Sequence, residues 1–316
     1  MKDEFAVAVV GAGMMGAGIA AVASLAGHRV VLVDRGAAEV ERGLRQARVC
    51  ADQLRDNGLT SAEAAARVAG LLSGSTDMAA GCRSARLIIE AVTENLALKQ
   101  KLFQELDTLA PPDAVITSNT SGLRITDISR MAVKAGRMAT THFWFPAHLV
   151  PLVEVVMGER THEETARWLH GVLLGWGKVP VIVRRDLPGQ LANRIQQALI
   201  REAICLVQDG VASAEDVDMA IKMSMGIRLP VWGPLEHIDA VGLDLALSVQ
   251  KDVLSSLDHS PQPPELLARK VRDGNLGHRT GQGFYDWNRK SMPELLARRD
   301  RFIMQALRII REERGD

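Results

Sequence analysis

Gly11-Ala12-Gly13-Met14-Met15-Gly16 is the stretch that decides how this chain folds. Before it, Phe5-Ala6-Val7-Ala8-Val9-Val10 is an unbroken apolar run of the kind buried in a parallel sheet. After it, Ala17 to Ala26 reads as a helix. Strand, glycine turn and helix in that order make a dinucleotide site. Gly11 permits the tight turn, Gly13 leaves the backbone open to a pyrophosphate, and Gly16 lets the helix lie close on the sheet. The backbone N–H groups around Met14 and Met15, at the helix start, then face the phosphates, and the helix dipole favours their charge.

The glycine spacing alone is common, and a tight turn without a ligand is its simpler reading; the context makes it specific. Gly27 stops the helix, and His28-Arg29-Val30-Val31-Leu32-Val33-Asp34 follows as a second strand ending in a carboxylate. That is where an acid meets the ribose hydroxyls of a bound dinucleotide. Asp34 would repel a 2′-phosphate, so the expected cofactor is NAD rather than NADP, with the adjacent Arg35 softening the preference. Residues 5 to 27 carry no charge, but five glycines interrupt them, so the reading is neither a membrane helix nor a signal peptide.

Lys plus Arg number 38 and Asp plus Glu number 38, so no global field draws nucleic acid or a membrane surface. The three cysteines, Cys50, Cys82 and Cys205, are widely spaced and form neither a metal pair nor a disulfide framework, which fits a reducing cytoplasm. A chain of 316 residues is expected to form two domains.

Along the chain, Ala37 to Leu72 is helical in pattern, broken at Asn57-Gly58, with Ser61 as the cap of a second helix. Leu87 to Val92 is a strand leading to Thr93-Glu94-Asn95 and a helix that carries Lys99. Ala114 to Ser118 is a strand ending in Asn119-Thr120-Ser121-Gly122, and Arg137 to His142 is another. Leu152 to Val156, a helix from about Glu163 to Leu174, and a last strand at Val179 to Val183 follow. Strands alternating with helices predict an α/β, doubly wound, mostly parallel sheet of Rossmann type over residues 1–186. Pro188 suits a first helical position, Ser213 reads as a cap, and helical spacing without a convincing strand predicts an all-α domain over 187–316. Ligands on parallel sheets bind beyond the carboxyl ends of the strands, where Asp34, Glu94, Ser121 and His142 all fall.

Hydride removal from an alcohol needs a base for the hydroxyl proton, and histidine suits neutral pH. His142 ends a strand and precedes the apolar wall Phe143-Trp144-Phe145-Pro146. Glu154 lies twelve residues on, and a returning strand brings its carboxylate to the imidazole, fixing the tautomer. On spacing alone, such a His–Glu pair is more often a structural ion pair than a catalytic one, roughly two to one. His148, His162 and His170 share no metal-ligand spacing, and no metal is expected.

Over nearly its whole length the chain resembles the 3-hydroxyacyl-CoA dehydrogenase family. The resemblance rests on the glycine turn, Glu94-Asn95-Leu96 with Lys99, Ser118-Asn119-Thr120-Ser121-Gly122 and His142-Phe143-Trp144-Phe145-Pro146. It continues through Leu152-Val153-Glu154-Val155, Pro188-Gly189-Gln190-Leu191-Ala192-Asn193-Arg194, Trp232 to Glu236, Val241 to Asp244 and Thr280 to Tyr285. It implies His142 as acid and base with Glu154 orienting it, and Ser121 and Asn193 holding the substrate oxygen. It implies Asp34 on the adenosine ribose, with Glu94, Lys99, Ser121 and Arg279 completing the cofactor set. It also implies a homodimer formed through the C-terminal domain.

Several positions depart from the acyl-CoA enzymes. Phe145 stands where they resemble Asn, Pro151 where they tend to carry Lys, Arg279 for a Lys and Gln190 for a Phe. Leu149 to Glu154 and the Asp300 to Met304 tail look more like the family's carnitine, gulonate and pyridine-aldehyde dehydrogenases. The default expectation is interconversion of 3-hydroxyacyl and 3-ketoacyl groups on coenzyme A. The alternatives are the same chemistry on a small free hydroxy acid or aldehyde, or NAD binding without turnover.

Overall fold

In the computed structural model, which describes residues 4–314, the glycine turn joins β1 (Ala6–Val10) to α1 (Met14–Leu25). The sheet continues with β2 (Arg29–Val33), β3 (Leu72–Ser75), β4 (Ala85–Glu90), β5 (Val115–Ser118), β6 (Met138–Phe143), β7 (Leu152–Val156) and β8 (Val179–Val183). Among the described residues these pair in the order β3-β2-β1-β4-β5-β6-β7-β8. All neighbours are parallel except β6 and β7, which are antiparallel. The connections carry α2 (Ala37–Asp56), α3 (Ala62–Leu71), α4 (Met78–Cys82), α5 (Leu96–Leu109), α6 (Ile125–Ile128) and α7 (Glu163–Gly175).

Side-chain alternation along the central strands builds a core on each face of the sheet. Val7, Val9, Leu87 and Ile89 enter one cluster with Ile19, Ala47, Val68, Leu169 and Leu173 from the helices. Ala8, Val10 and Ile88 enter the other with Phe103, Leu106, Ile125 and Ile128. Being covered on both sides, these strands read as continuous apolar runs. The chain leaves β3 at one edge and re-enters as β4 beside β1, so strand order reverses there and a crevice opens at the carboxyl ends of β1 and β4.

β3 was not expected: Leu72-Ser73-Gly74-Ser75 has one bulky apolar residue and followed a helical pattern. It pairs with β2 at Val30↔Leu72. Gly74 is needed there, since a Cβ would come within 2.2 Å of Val40 on α2. Pro188 does not open a helix. Residues 188–191 form a turn with positive φ at Gly189 and Gln190, and α8 (Ala192–Gln208) begins after it.

The chain divides into two compact units. The first comprises residues up to Arg194 together with those from Arg299 on, and the second is Ile195–Arg298. The segment up to Arg194 folds with the sheet because Leu191 and Ala192 donate their N–H groups to Glu154 on β7. The second unit is helical, with α9 (Ala214–Met223), α10 (Met225–Arg228), α11 (Pro234–Val241), α12 (Leu243–Val253) and α13 (Glu265–Arg272). α14 (Met292–Arg314) begins in the second unit and ends in the first, where Ile303, Met304 and Leu307 pack with Leu54, Leu59 and Leu149. No helix among the described residues is long and apolar enough to cross a membrane.

Candidate active site

The glycine turn is shaped by three different constraints. Gly11 has φ 111° and donates to Val33 O, and a Cβ on it would lie 2.5 Å from Ala91 O. A Cβ on Gly16 would lie 1.8 Å from Gly11 O. Gly13 is different: a Cβ there would meet nothing within 4 Å, so no neighbour in the protein demands a glycine. The backbone there is open, as a dinucleotide's pyrophosphate requires of a glycine turn. No side chain caps the start of α1 and no acid lies in its first turn, which leaves its N–H groups open to an anion. Met14 is exposed and Met15 half-buried at that helix start.

Asp34, just past β2, accepts from Ala12 N through one oxygen and from its neighbour Arg35 N through the other, both at 2.7 Å. It therefore holds the turn against β2 and keeps further acceptor capacity on each oxygen. A cavity of about 490 Å³ runs from Gly11 to Gly13 past Asp34 and Arg35, with Ala91, Val92 and Lys101 opposite. The residues present fit a dinucleotide.

Past β4 a carboxylate network sets the next wall. Glu90 is fully buried and accepts from Lys99 Nζ at 2.6 Å, Val92 N at 2.7 Å and Ser118 Oγ at 2.5 Å. Lys99 is 1 % exposed, and its ammonium is shared among Glu90, Val92 O and Glu94. It stands behind Glu94 rather than lining the cleft. Glu94 Oε1 accepts from Thr120 Oγ1, Ser121 N and Gly122 N. Burial pushes the Glu94 carboxyl up, but bonds from Thr120 and Gly122 and the Lys99 charge outweigh it and hold it below the usual range. Ser121 thus lies exposed on a loop whose amides are anchored by Glu94.

His142 and Glu154 are direct partners across the antiparallel β6–β7 pair, which explains the twelve-residue spacing. His142 Nδ1 lies 2.7 Å from Glu154 Oε2. Glu154 is fully buried and takes three further donors: Trp144 Nε1 at 3.1 Å, Leu191 N at 2.9 Å and Ala192 N at 2.9 Å. Burial alone would raise its carboxyl, yet the bonds from His142, Ala192, Leu191 and Trp144 together hold it below the usual range. An ionised carboxylate only accepts, so Nδ1 is the donor and Nε2 is the ring nitrogen left for chemistry. Asn193, one residue into α8, donates Nδ2 to Ser121 O at 3.2 Å. The structure thereby brings Ser121 and Asn193 together.

Arg279 lies in the second unit, lining a groove of about 670 Å³ with Lys270, Tyr285 and Trp287. Cys50 and Cys82 are buried, and burial pushes the Cys82 thiol up to about 12, so neither is a nucleophile. Among the described residues no three His, Cys, Asp or Glu cluster to hold a metal ion. Sequence reasoning missed Glu90 and the indole of Trp144. An acid ending an apolar strand was the available signal for Glu90, since a buried carboxylate needs a partner.

A cleft of this kind takes a dinucleotide, and fold and site together define the class of pyridine-nucleotide oxidoreductases. The family described as "3-hydroxyacyl-CoA dehydrogenase, NAD binding domain" matches residues 6–187, and "3-hydroxyacyl-CoA dehydrogenase, C-terminal domain" matches residues 189–287. The chain is 30% identical to a 5-formyl-3-hydroxy-2-methylpyridine 4-carboxylate 5-dehydrogenase of Mesorhizobium japonicum, over 96% of this chain and 97% of that protein. It is 36% identical to a probable 3-hydroxybutyryl-CoA dehydrogenase of Bacillus subtilis, over 90% of this chain and 97% of the relative. A solved structure of the pyridine-carboxylate enzyme, described as an NAD+ dependent dismutase, superposes with TM-score 0.90 at 30% identity, covering 97% and 98% of the two chains. The (S)-3-hydroxybutyryl-CoA dehydrogenase PaaH1 from Ralstonia eutropha gives 0.75 at 33% identity, covering 90% and 99%. The chain belongs to the 3-hydroxyacyl-CoA dehydrogenase family and is an NAD-dependent dehydrogenase.

Glu154 has a depressed carboxyl pKa in the fold, so its ionised form stabilises the fold above the unfolded carboxylate value of about 4.3. That contribution is lost as pH falls through the folded value. Urea unfolding of the wild type and Glu154→Gln is expected to show a constant gap from pH 8 to 6 that narrows below about pH 4.3. A gap independent of pH would mean that Glu154 is not the ionised hub.

Proposed function

We propose that His142 is the general base in oxidation and the general acid in reduction, with Glu154 orienting it and Ser121 and Asn193 holding the substrate oxygen. The 2.7 Å contact of Nδ1 with a carboxylate held ionised by three other donors carries this reading. NAD, when bound, accepts a hydride from the substrate carbon. His142 Nε2 takes the hydroxyl proton as the hydride departs, and the buried anion of Glu154 stabilises the imidazolium that forms. In the reverse direction Nε2–H returns the proton to the carbonyl oxygen. Gly11, Gly13, Gly16 and the N–H groups around Met14 and Met15 hold the pyrophosphate, and Asp34 the ribose. Glu94 borders the nicotinamide side, with Lys99 fixing Glu94 from behind, and Arg279 is retained as a cofactor contact on the family resemblance alone.

For the substrate, the reading with most support is a small hydroxy acid or aldehyde not linked to coenzyme A. The similarity to the pyridine-carboxylate dehydrogenase extends over nearly the whole chain, beyond the C-terminal family domain that ends at residue 287. The first half of α14 passes beside the loop that follows His142, with the Arg299 guanidinium 5.0 Å from the centre of the Phe145 ring. A 3-hydroxyacyl-CoA is the second reading, favoured by the higher identity to the 3-hydroxybutyryl-CoA relative. Following NADH absorbance with 3-hydroxybutyryl-CoA against a panel of free hydroxy acids and pyridine aldehydes separates the two.

We also infer a homodimer formed through residues 195–298. In that unit few large apolar side chains are buried, Ile204, Val217 and Leu266 among them, while Met223, Ile227, Val231, Leu235 and Leu247 are all more than half exposed. Exposed apolar surface of this extent marks a protein interface. The free, buried cysteines fit a reducing compartment such as the cytoplasm.

His142→Ala is expected to lower kcat by about 10²–10⁴-fold, with NADH affinity by fluorescence nearly unchanged. Equal loss of both would remove the acid–base role. Asp34→Ala is expected to lower the ratio of kcat/KM with NAD to that with NADP, and an unchanged ratio would take Asp34 out of ribose recognition. Light scattering is expected to give twice the mass of one chain, shifting towards a single chain in Leu235→Lys; a monomeric wild type at micromolar concentration rejects the dimer.

A further inference from the structure

Three consecutive carbonyls of the loop after β5 receive donors from one short segment. Ser121 O accepts from Asn193 Nδ2 at 3.2 Å, Gly122 O from Gly189 N at 3.4 Å, and Leu123 O from Gln190 Nε2 at 3.2 Å. The amides of Ser121 and Gly122 point the other way, to Glu94. The same segment turns Leu191 N and Ala192 N onto a single oxygen of Glu154. Residues 189–193 therefore bond both the Ser121–Leu123 carbonyls and the carboxylate behind His142.

The turn that makes this arrangement is conformationally disfavoured. Gly189 has φ 81° and Gln190 φ 55°. Successive amides turned in this way form a concavity that holds an anion, here Glu154. Glycine adopts such angles freely, whereas the Cβ of glutamine opposes them. Gln190 is the single non-glycine residue with positive φ among the described residues.

Its side chain is also poorly placed for stability. Gln190 is 2 % exposed, and its Oε1 has no hydrogen-bond partner among the described residues. Rotating the amide by half a turn would set Oε1 against Leu123 O, so the donor role of Nε2 is fixed by its partner. An apolar side chain of the same length would fill the space without an orphan oxygen. A residue disfavoured in backbone and half-satisfied in side chain, standing where the acyl-CoA enzymes tend to carry Phe, finds its compensation in what its donor holds.

We propose that Gln190 is a positioning residue, whose amide sets the Ser121–Leu123 loop at the correct distance from the His142–Glu154 pair. It acts through Ser121 and Asn193, and so rests on the assignment of those residues and of His142 given above. The consequence is an opposition between activity and stability that a packing role would not produce.

The test is Gln190→Met, which keeps the length and removes the donor, with Gln190→Leu as a second variant should the first fail to fold. The substrate is whichever member of the panel above supports NADH formation. Turnover is expected to fall about tenfold, the worth of one well-placed hydrogen bond, while NADH affinity is unchanged and Tm is equal or higher. Combined with Asn193→Ala, which frees the neighbouring carbonyl of the same loop, the losses are expected to be non-additive. Turnover within about twofold of wild type, or a loss of turnover that tracks lower Tm and weaker NADH binding, overturns the proposal. So does strict additivity with Asn193→Ala. His142→Ala assayed alongside separates the failures: if it keeps full turnover, the base assignment has failed, whereas an inactive His142→Ala beside a normal Gln190→Met rejects Gln190 alone.

Discussion

A fully buried carboxylate with four donors is the constraint around which the site is arranged. Glu154 collects His142 Nδ1, Trp144 Nε1, Leu191 N and Ala192 N, which occupy all the positions its two oxygens offer. Burying an anion is tolerable only when its hydrogen-bonding capacity is filled, and leaving one buried acceptor site unmet costs about 1–3 kcal/mol, more where the group is charged. The four donors come from the end of β6, the residue just after it, the turn over residues 188–191 and the first residue of α8. Satisfying Glu154 therefore fixes the imidazole, the indole beside it and the start of the long helix at the same time. The antiparallel step in an otherwise parallel sheet makes this feasible, because it sets residues 142 and 154 opposite each other on one face.

A second carboxylate hub governs the neighbouring wall. Glu90 and Glu94 share the Lys99 ammonium, and Glu94 in turn holds the Ser121 and Gly122 amides. Lys99 is thus a buried counter-charge for two acids rather than a surface contact. The loop between the hubs has its amides committed to one side and its carbonyls to the other, so its position is set by both carboxylates together. The loop is thereby tied on one side to Glu94 and on the other to the segment that bonds Glu154.

Local patterns were readable in the chain where local physics decides them. The glycine turn, Asp34 and the buried strands follow from short-range sterics and alternation, and the caps at Ser61 and Ser213 appear as expected, each accepting from an N–H three residues on. What escaped depends on contacts far apart in sequence. β3 is strand-like only because Val30 to Val33 offers an edge to pair with. Pro188 resembles a helix start, yet Glu154 draws the next amides into a turn first. Trp144 reads as part of an apolar wall, and only the fold reveals that its N–H serves the same carboxylate as His142. The resemblance implies Arg279 as a cofactor residue, and the fold assigns it to the second unit.

The tail helix bears on how family chemistry and individual specificity are divided. Residues past 287 lie outside the family's C-terminal domain, yet α14 returns to the first unit, with Met304 buried against Leu54, Leu59 and Leu149. Arg308 donates to Asn57 O at the end of α2, and Arg299 covers Phe145, three residues beyond the proposed base. The cation over the ring holds an aromatic side chain whose edge would otherwise be free to turn in solvent. Phe145 offers no hydrogen bond, so the wall next to His142 is apolar at a position where the acyl-CoA enzymes resemble an amide. The imidazole, its carboxylate and the glycine turn are supplied by the common fold, while one part of the surroundings of the loop that follows His142, Arg299 over Phe145 and Met304 against Leu149, is supplied by a segment the family domain does not include. Function resides in sites built on a fold, and here different stretches of chain carry the imidazole with its carboxylate and the cover over Phe145.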